Sequence, residues 1–304
     1  SCKYERNYSI GSGVNGSNVL FLDLISNDDS KILIQNNSFS ENSCIGNLIL
    51  LEFQSGITVL NDNIIIGNMI SEGTILVFPA SNSDSIFNTK FISNSTCRIG
   101  RHTFAINGSL AAYKNCLFAH NTYCVDNSII EIQQKNLNIT NCSVLDAGTQ
   151  PYINFLQFLA DSSFLTNNTF NFSPKEYSFL YGQFTYIENC YFNQFDCANL
   201  TPNVVCGPGI LSGVDPMFRD TANGDFSLEP CSPLVNAGNN AAASGLLTDI
   251  TGAPRIQEGI VDIGAYEYGD ASFAHVATAA NTSGHVSTLH DPAIDGVATA
   301  GPSA

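Results

Sequence analysis

The amino-acid sequence predicts an all-β fold in which short strands stack into a parallel β-helix, or β-solenoid. A large apolar residue, preceded three positions earlier by Asn or Asp, recurs about every 26 residues along most of the chain. Each unit carries short runs rich in β-branched residues, separated by Asn, Ser and Gly. No stretch has the apolar period and caps of an amphipathic helix. Because such a unit cannot bury its own apolar face, it must stack on copies of itself.

The register starts with a degenerate copy, Asn7 to Ile10, and continues with clearer ones: Asn36 to Phe39, Asp62 to Ile65, Asn88 to Phe91, Asn115 to Phe118, Asn141 to Val144, Asn167 to Phe170 and Asn189 to Phe192. The repeated turn needs an unusual backbone conformation that Asn tolerates, and stacked amides can donate and accept along the axis. We therefore predict an internal ladder of Asn36, Asn88, Asn115, Asn141, Asn167 and Asn189. An amide-lined ligand groove is the alternative. A second polar column follows the anchors: Asn42, Asn68, Asn94 and Asn121.

The composition is that of a folded, acidic protein. The chain of 304 residues is 44% hydrophobic and 12% charged, which is enough apolar material for a continuous core. Its 27 acidic and 11 basic residues give a net charge of −16, which opposes binding to nucleic acid or anionic membranes. Since no apolar run reaches about 18 residues, we expect no membrane insertion.

Ten cysteines without a C-x-x-C pair fit an oxidising compartment, so the sequence predicts a secreted, extracellular protein. The candidate disulfides are Cys97 with Cys124, Cys116 with Cys142, and Cys197 with Cys206. The first two pairs occupy equivalent positions on consecutive turns, within the reach of a disulfide. A ladder of buried reduced thiols is the alternative for these pairs. In the third pair, Cys231 competes for either partner.

N-x-[ST] sequons make N-glycosylation a further expectation for a secreted chain. They begin at Asn7, Asn15, Asn36, Asn94, Asn107, Asn138, Asn141, Asn167, Asn171, Asn199 and Asn281.

After Phe192 a series of short motifs follows: DPMF (215–218), GDFSL (224–228), PCSPLVNAG (230–238), TDITGAPR (248–255) and VDIGAYEY (261–268). Together they resemble the end of secreted right-handed parallel β-helix repeat proteins, and upstream the chain is similar in repeat style only. The resemblance implies a right-handed parallel β-helix in an extracellular setting. Such proteins include surface and adhesive proteins, and the superfold also contains pectate-lyase-like enzymes.

The motifs favour a C-terminal cap at about residues 198–268, because an open solenoid end would expose unpaired backbone and an apolar cross-section. Within it, Arg255 is expected to pair with Asp262 and Glu267. Residues 269–304 are rich in Ala, Thr, Gly and Ser and lack the repeat. We therefore expect a β-helix with its cap, residues 1–268, and an extended tail or linker, residues 269–304.

The sequence contains no common catalytic motif. Glu52 and Glu131 share a repeat position three turns apart, which is too far for a glycosidase pair. Asp28 and Asp29 are a weak Ca²⁺ candidate, since two carboxylates alone make a poor site. We assign no catalytic, cofactor-binding or metal-binding residue, and we expect no cofactor beyond that candidate.

The expected function is that of an extracellular structural or adhesive scaffold, with extracellular proteins, glycans or copies of itself as partners. Because the register is already present at Asn7, the first turn has no room for a cap. The tail is long enough to add a strand to a neighbour, so a head-to-tail filament is a further expectation. The alternative is a polysaccharide lyase or hydrolase of the pectate-lyase-like superfold.

Overall fold

The structure, a computed structural model, describes residues 3–5, 8–9, 20–24, 31–45, 47–53, 57–70, 73–78, 83–96, 98–102, 110–123, 128–132, 136–145, 154–158, 162–171, 180–181, 184–193, 203–269, 282–283 and 286–287. Within these ranges the chain is almost entirely β-strand and turn, without an α-helix.

Most strands, numbered in chain order, belong to four parallel sheets. Sheet A contains β1 (Lys3–Glu5), β5 (Ser38–Ser40), β9 (Ile64–Ile66), β13 (Lys90–Ile92), β17 (Leu117–Ala119), β21 (Ser143–Leu145), β24 (Thr169–Asn171), β27 (Tyr191–Phe192) and β29 (Leu211–Ser212). Sheet B contains β2 (Tyr8–Ser9), β6 (Ser43–Cys44), β10 (Met69–Ile70), β14 (Ser95–Thr96) and β18 (Thr122–Tyr123). Sheet C contains β3 (Leu20–Leu24), β7 (Ile49–Phe53), β11 (Thr74–Phe78), β15 (Arg98–His102), β19 (Ser128–Ile132), β22 (Asn154–Phe158) and β25 (Leu180–Tyr181). Sheet D contains β4 (Lys31–Gln35), β8 (Ile57–Asn61), β12 (Ser83–Phe87), β16 (Leu110–Lys114), β20 (Asn136–Thr140), β23 (Ser162–Thr166), β26 (Thr185–Glu188) and β28 (Val204–Cys206).

Through β1 to β20, each coil of the chain passes through sheets A, B, C and D in turn, and equivalent strands of consecutive coils pair in parallel. Phe39 pairs with Ile65, and Phe91 pairs with both Ile65 and Phe118. The predicted parallel β-solenoid, with a repeat of about 26 residues, is confirmed.

The core is a set of columns in which apolar side chains of consecutive coils stack on one another. The anchor column is buried throughout: Phe39, Ile65, Phe91, Phe118, Val144, Phe170 and Phe192. Its rings stack where they are adjacent, with centroids 5.0 Å apart for Phe91 and Phe118. Burial of each large apolar side chain contributes about 1.5–3 kcal/mol, so the stack contributes substantially to stability.

The corner between sheets A and B contains a continuous ladder of buried asparagines: Asn42, Asn68, Asn94 and Asn121. In each of the first three, the backbone N–H donates to Oδ1 of the next Asn at 3.0–3.1 Å. The Nδ2 of the same residue donates to that oxygen at 2.8–3.0 Å. Each of the last three also donates to a carbonyl of the preceding coil at 2.8–3.0 Å. The second polar column is thus an internal ladder that satisfies buried polar groups.

The corner between sheets D and A contains the ladder that the sequence predicts to be internal: Asn36, Asn88, Asn115, Asn141, Asn167 and Asn189. These residues, and Asp62 in the same column, have left-handed dihedrals with φ between 45° and 58°, which suits Asn among non-glycine residues. The column nevertheless lies on the outside, since Asn36 and Asp62 are exposed and Asn88 is half-buried. The amides nevertheless stack along the axis, since Asn115 Nδ2 donates to Asn88 Oδ1 at 2.7 Å and Asn167 Nδ2 donates to Asn141 Oδ1 at 3.4 Å. Asn115, Asn141 and Asn167 are also fully buried. The ladder lies beside the core rather than within it, because the following residue, not the left-handed one, points into the coil.

These following residues form an inner column, some of whose members accept a backbone N–H of the neighbouring coil: Asn37, Asn63, Thr89, Cys116, Cys142, Asn168 and Cys190. Asn63 Oδ1 accepts the backbone N–H of Asn37 at 3.0 Å, and Asn168 Oδ1 accepts that of Cys142 at 2.9 Å. Cys142 Sγ accepts the N–H of Cys116 in the same way, at 3.4 Å. In some coils a thiol sulfur therefore takes the place of an amide oxygen as the acceptor in this inner column.

The C-terminal segment folds back over the outside of the solenoid. It begins with an antiparallel hairpin of β30 (Phe218–Asp220), a 3₁₀ helix (Thr221–Asn223) and β31 (Asp225–Leu228). We call residues 229–268 the strap. Two apolar clusters join this segment to outward side chains of sheet A: Phe226, Ile250 and Ala265 with Leu117, Ala119 and Leu145, and Leu228, Leu234 and Ile263 with Tyr191. The segment predicted as an end cap is therefore a lateral cover.

The chain forms two compact units, residues 1–268 and residues 269–304. In the second unit the described residues are β32 (Thr282–Ser283) and β33 (Val286–Ser287), which pair antiparallel.

Candidate functional site: a lateral groove beside the strap

The strap is fixed to the solenoid by the outer asparagine corners. Their Nδ2 atoms donate to strap carbonyls: Asn115 to Thr248 at 3.0 Å, Asn141 to Asp262 at 3.4 Å, Asn167 to Asn239 at 2.9 Å and Asn189 to Ala237 at 3.0 Å. Asn115, Asn141 and Asn167 are fully buried, whereas the equivalent Asn36 is exposed. The strap thus buries some members of a column that would otherwise face solvent.

Gly264 allows the strap to approach the solenoid closely. Its N–H donates to the carbonyl of Asn167 at 2.8 Å, and its φ of 110° is a conformation that L side chains rarely adopt. A Cβ at this position would lie 2.6 Å from Thr169 Oγ1 and 2.8 Å from Ser143 Oγ. A larger residue would therefore push the strap away from sheet A.

A buried contact between an arginine and a glutamate lies in the same region. Arg255 lies 3.0 Å from Glu267, and both side chains are 1% exposed. The guanidinium also donates to Asn115 Oδ1 at 3.3 Å and to three strap carbonyls at 2.7–3.1 Å. Burial lowers the pKa of Arg255, and burial raises the pKa of Glu267 to about 8 against the opposing effect of the Arg255 charge. Arg255 thus pairs with Glu267, as expected from the sequence. The carboxylate of Asp262, the other expected partner, accepts the backbone N–H of Asn236 at 2.7 Å.

Between the strap and the outer face of sheet D lies a groove in two parts, which share Lys114 as a lining residue. One part, of about 650 Å³, is lined by Leu33, Val59, Asn61, Asp62, Phe87, Asn88, Lys114 and residues 244–248. The other, of about 460 Å³, is lined by Leu110, Lys114, Asn136, Asn138, Thr140, Phe164, Thr166 and Ala242. Lys114 lines both, so we treat them as one lateral groove. It crosses strands β4 to β23, a span of about 24 Å at the usual spacing between strands.

The groove combines apolar, amide and cationic groups. Phe164 is 43% exposed, and Asn138 is its neighbour in the register of β20 and β23. Lys114 is half-buried, and its ammonium has no hydrogen-bond or ion-pair partner among the residues that the structure describes. An unpaired cation is notable in a chain with a net charge of −16. The groove therefore offers an extended ligand an apolar surface, hydrogen-bonding amides and one positive charge.

Comparison with known proteins does not identify this groove. No protein-family model and no curated protein matches the chain. The candidate site is therefore defined by its own residues.

The described part of the chain contains no group of three or more His, Cys, Asp or Glu that could hold a metal ion. The Ca²⁺ candidates Asp28 and Asp29 lie outside the described residues. No described helix is long and apolar enough to cross a membrane.

The predicted shared position of Glu52 and Glu131 is wrong. Glu131 pairs with Arg101, which pairs with Val77, and Val77 pairs with Leu50 rather than with Glu52. The two glutamates are thus two positions out of register, because the connections between sheets A and C differ in length from coil to coil.

The cysteines correct part of the disulfide prediction. Cys116 and Cys142 are buried free thiols, so the alternative, a ladder of reduced thiols, describes this pair. Their sulfurs donate to backbone carbonyls at 3.4–3.5 Å. Cys206 is in a disulfide, and Cys231 is free and exposed, so Cys231 is not its partner. The remaining candidates, Cys97, Cys124 and Cys197, lie outside the described residues.

Sequence reasoning missed the groove. Phe164 and Leu165 are adjacent in β23, and one is exposed while the other is buried. Since successive strand residues point to opposite faces, adjacent apolar residues in a half-buried strand are the signal for an apolar outer surface. The position of the strap, which forms the other wall, has no comparable signal.

Proposed function

We propose that this protein is an extracellular scaffold or adhesive protein that binds an extended glycan chain along the lateral groove without cleaving it. The observation that carries the proposal is the groove itself, which crosses several coils and is lined by Phe87, Lys114 and Phe164. Aromatic faces suit the apolar faces of sugars, and amides such as Asn138 suit their hydroxyl groups.

Several features support a binding role over the alternative, a polysaccharide lyase or hydrolase. Glycoside hydrolysis uses two carboxylates on either side of the scissile bond. The acidic residue that lines the groove in the described ranges is Asp62, at its exposed left-handed corner. The groove is therefore better suited to holding a chain than to acid and base chemistry.

Secretion belongs to the same proposal. The disulfide of Cys206 supports it, because disulfides persist in oxidising compartments. Head-to-tail association stays a proposal that concerns residues 269–304.

The experiment is a binding screen with soluble neutral and acidic glycans, followed by calorimetry on the best ligand. Phe164→Ala and Phe87→Ala should each weaken binding about two- to tenfold, since an aromatic contact contributes about 0.5–1.5 kcal/mol. Met69→Ala is the matched control, because Met69 is 55% exposed in β10 of sheet B, which supplies no lining residue of the groove. Binding that is unaffected by both Phe substitutions would refute the groove as the site.

A second measurement addresses the enzymatic alternative. The same glycans are incubated with the protein, and new reducing or unsaturated ends are counted. We expect none above background. Release of ends that Asp62→Asn abolishes would establish the enzyme and overturn the scaffold.

A further inference from the structure

The structure divides the sequons in its described residues into two groups. Three of them begin at fully buried asparagines whose amides are already used: Asn94, Asn141 and Asn167. Asn94 Nδ2 donates to Ile65 O and Asn121 Oδ1, at 2.9 and 3.0 Å. The amides of Asn141 and Asn167 hold the strap. An oligosaccharide at any of the three would remove these bonds and could not fit in the folded chain.

The other three sequons begin at accessible asparagines. Asn36 is exposed at its left-handed corner, and Asn138 and Asn171 are half-buried. Their side-chain amides have no hydrogen-bond partner among the described residues. Each is therefore free to carry a substituent without loss of a native contact.

Asn138 differs from the other two because it lies in the lateral groove. It points outward from β20, with Ala112 and Phe164 as its neighbours in the register. Ala112 is already buried, whereas Phe164 is 43% exposed. Adjacent strands are about 4.8 Å apart, so a sugar ring on Asn138 would cover Phe164. We propose that Asn138 is an N-glycan acceptor site, and that an oligosaccharide attached there closes the groove. The acceptor role stands alone, whereas the closing effect rests on the proposed function.

The co-reactant is an oligosaccharide linked to a polyprenyl diphosphate. The amide nitrogen of Asn138 forms a bond with C1 of the first sugar as the bond from C1 to the diphosphate oxygen breaks. The amide loses one proton, and the polyprenyl diphosphate leaves. The hydroxyl of Thr140 completes the sequon.

The test uses the full chain secreted from glycosylating eukaryotic cells and the same chain made in bacteria. Glycopeptide mass spectrometry should find oligosaccharide on Asn138, as on Asn36 and Asn171, and none on the three buried asparagines. An unmodified Asn138 beside a modified Asn36 would overturn the acceptor site. Glycan on a buried asparagine of folded protein would overturn the structural argument.

The groove readout compares binding of the glycan identified in the screen. The secreted wild type should bind at least about tenfold more weakly than the bacterial protein. Thr140→Ala removes the sequon but keeps the amide, so this variant should bind the glycan equally well whether it is secreted or made in bacteria. Ser173→Ala removes the sequon of Asn171 in β24 of sheet A, and it should keep the difference in binding between the secreted and the bacterial protein. Equal binding by modified and unmodified protein would overturn the closing of the groove by the oligosaccharide. Binding by neither form would refute the proposed function. In that case the mass spectrometry alone decides whether Asn138 is an acceptor site.

Discussion

Replacement of Asn68 by Leu tests the internal ladder most directly. Asn68 Oδ1 accepts the N–H and the Nδ2 of Asn42 at 3.0 and 2.8 Å, and its Nδ2 donates to Phe39 O at 3.0 Å. Leucine has the same branching but no polar atom, so it removes the hydrogen bonds to Asn68 of two buried groups, the Asn42 N–H and the Phe39 carbonyl. Each such group costs about 1–3 kcal/mol, which gives an expected loss of about 2–6 kcal/mol in the free energy of unfolding.

The assay is urea unfolding followed by far-UV circular dichroism. Asn138→Leu is the matched control, because this amide faces outward without a partner in the described residues, and it should change stability by less than about 0.5 kcal/mol. If Asn68→Leu is also within about 0.5 kcal/mol of the wild type, the ladder does not stabilise the coil and the reasoning fails.

Three further perturbations concern the strap and the thiols. Gly264→Ala should loosen the strap and speed hydrogen exchange there, while Gly245→Ala, at a φ of 84° but in open space, should cost only backbone strain; equal effects would contradict the close-contact argument. Because burial raises the pKa of Glu267 from 4.5 to about 8, its contribution to stability is fully present below about pH 4.5 and is lost as the pH rises through 8. The thermal midpoint of the wild type should therefore fall over this range, and that of Glu267→Gln should fall less; parallel curves would exclude the role of Glu267. A thiol reagent should label exposed Cys231 in the native protein and Cys116 only after unfolding; rapid native labelling of Cys116 would show that its column is open.

The sequence predicts the solenoid because its signals are local and repeated. The spacing of the anchors and the tolerance of Asn for left-handed dihedrals are properties of a single coil. The same spacing cannot say which of two adjacent corner residues points inward, as Asn115 and Cys116 show. Only the stacked coils decide this, since the inner residue must meet the N–H of its neighbour.

The lateral groove and the strap could not be predicted for a different reason. Their contacts join residues far apart in sequence, such as Arg255 with Asn115, which are 140 positions apart. The sequence motif that contains Arg255 is recognisable, but it does not indicate that Arg255 contacts Asn115. A periodic pattern predicts which residues of consecutive coils pair. It does not predict which distant segment packs on the outer surface of the solenoid.

The strap also sets an order for folding. Coils can add to one another as the chain lengthens, because each meets its predecessor about 26 residues away. Leu117, Leu145 and Tyr191, however, remain uncovered until residues 226–265 are available to pack on them. Contacts between distant parts of a chain are slow to form. During synthesis this outer surface of sheet A is therefore covered late. A polypeptide that stops before the strap would expose these apolar side chains to chaperones and proteases.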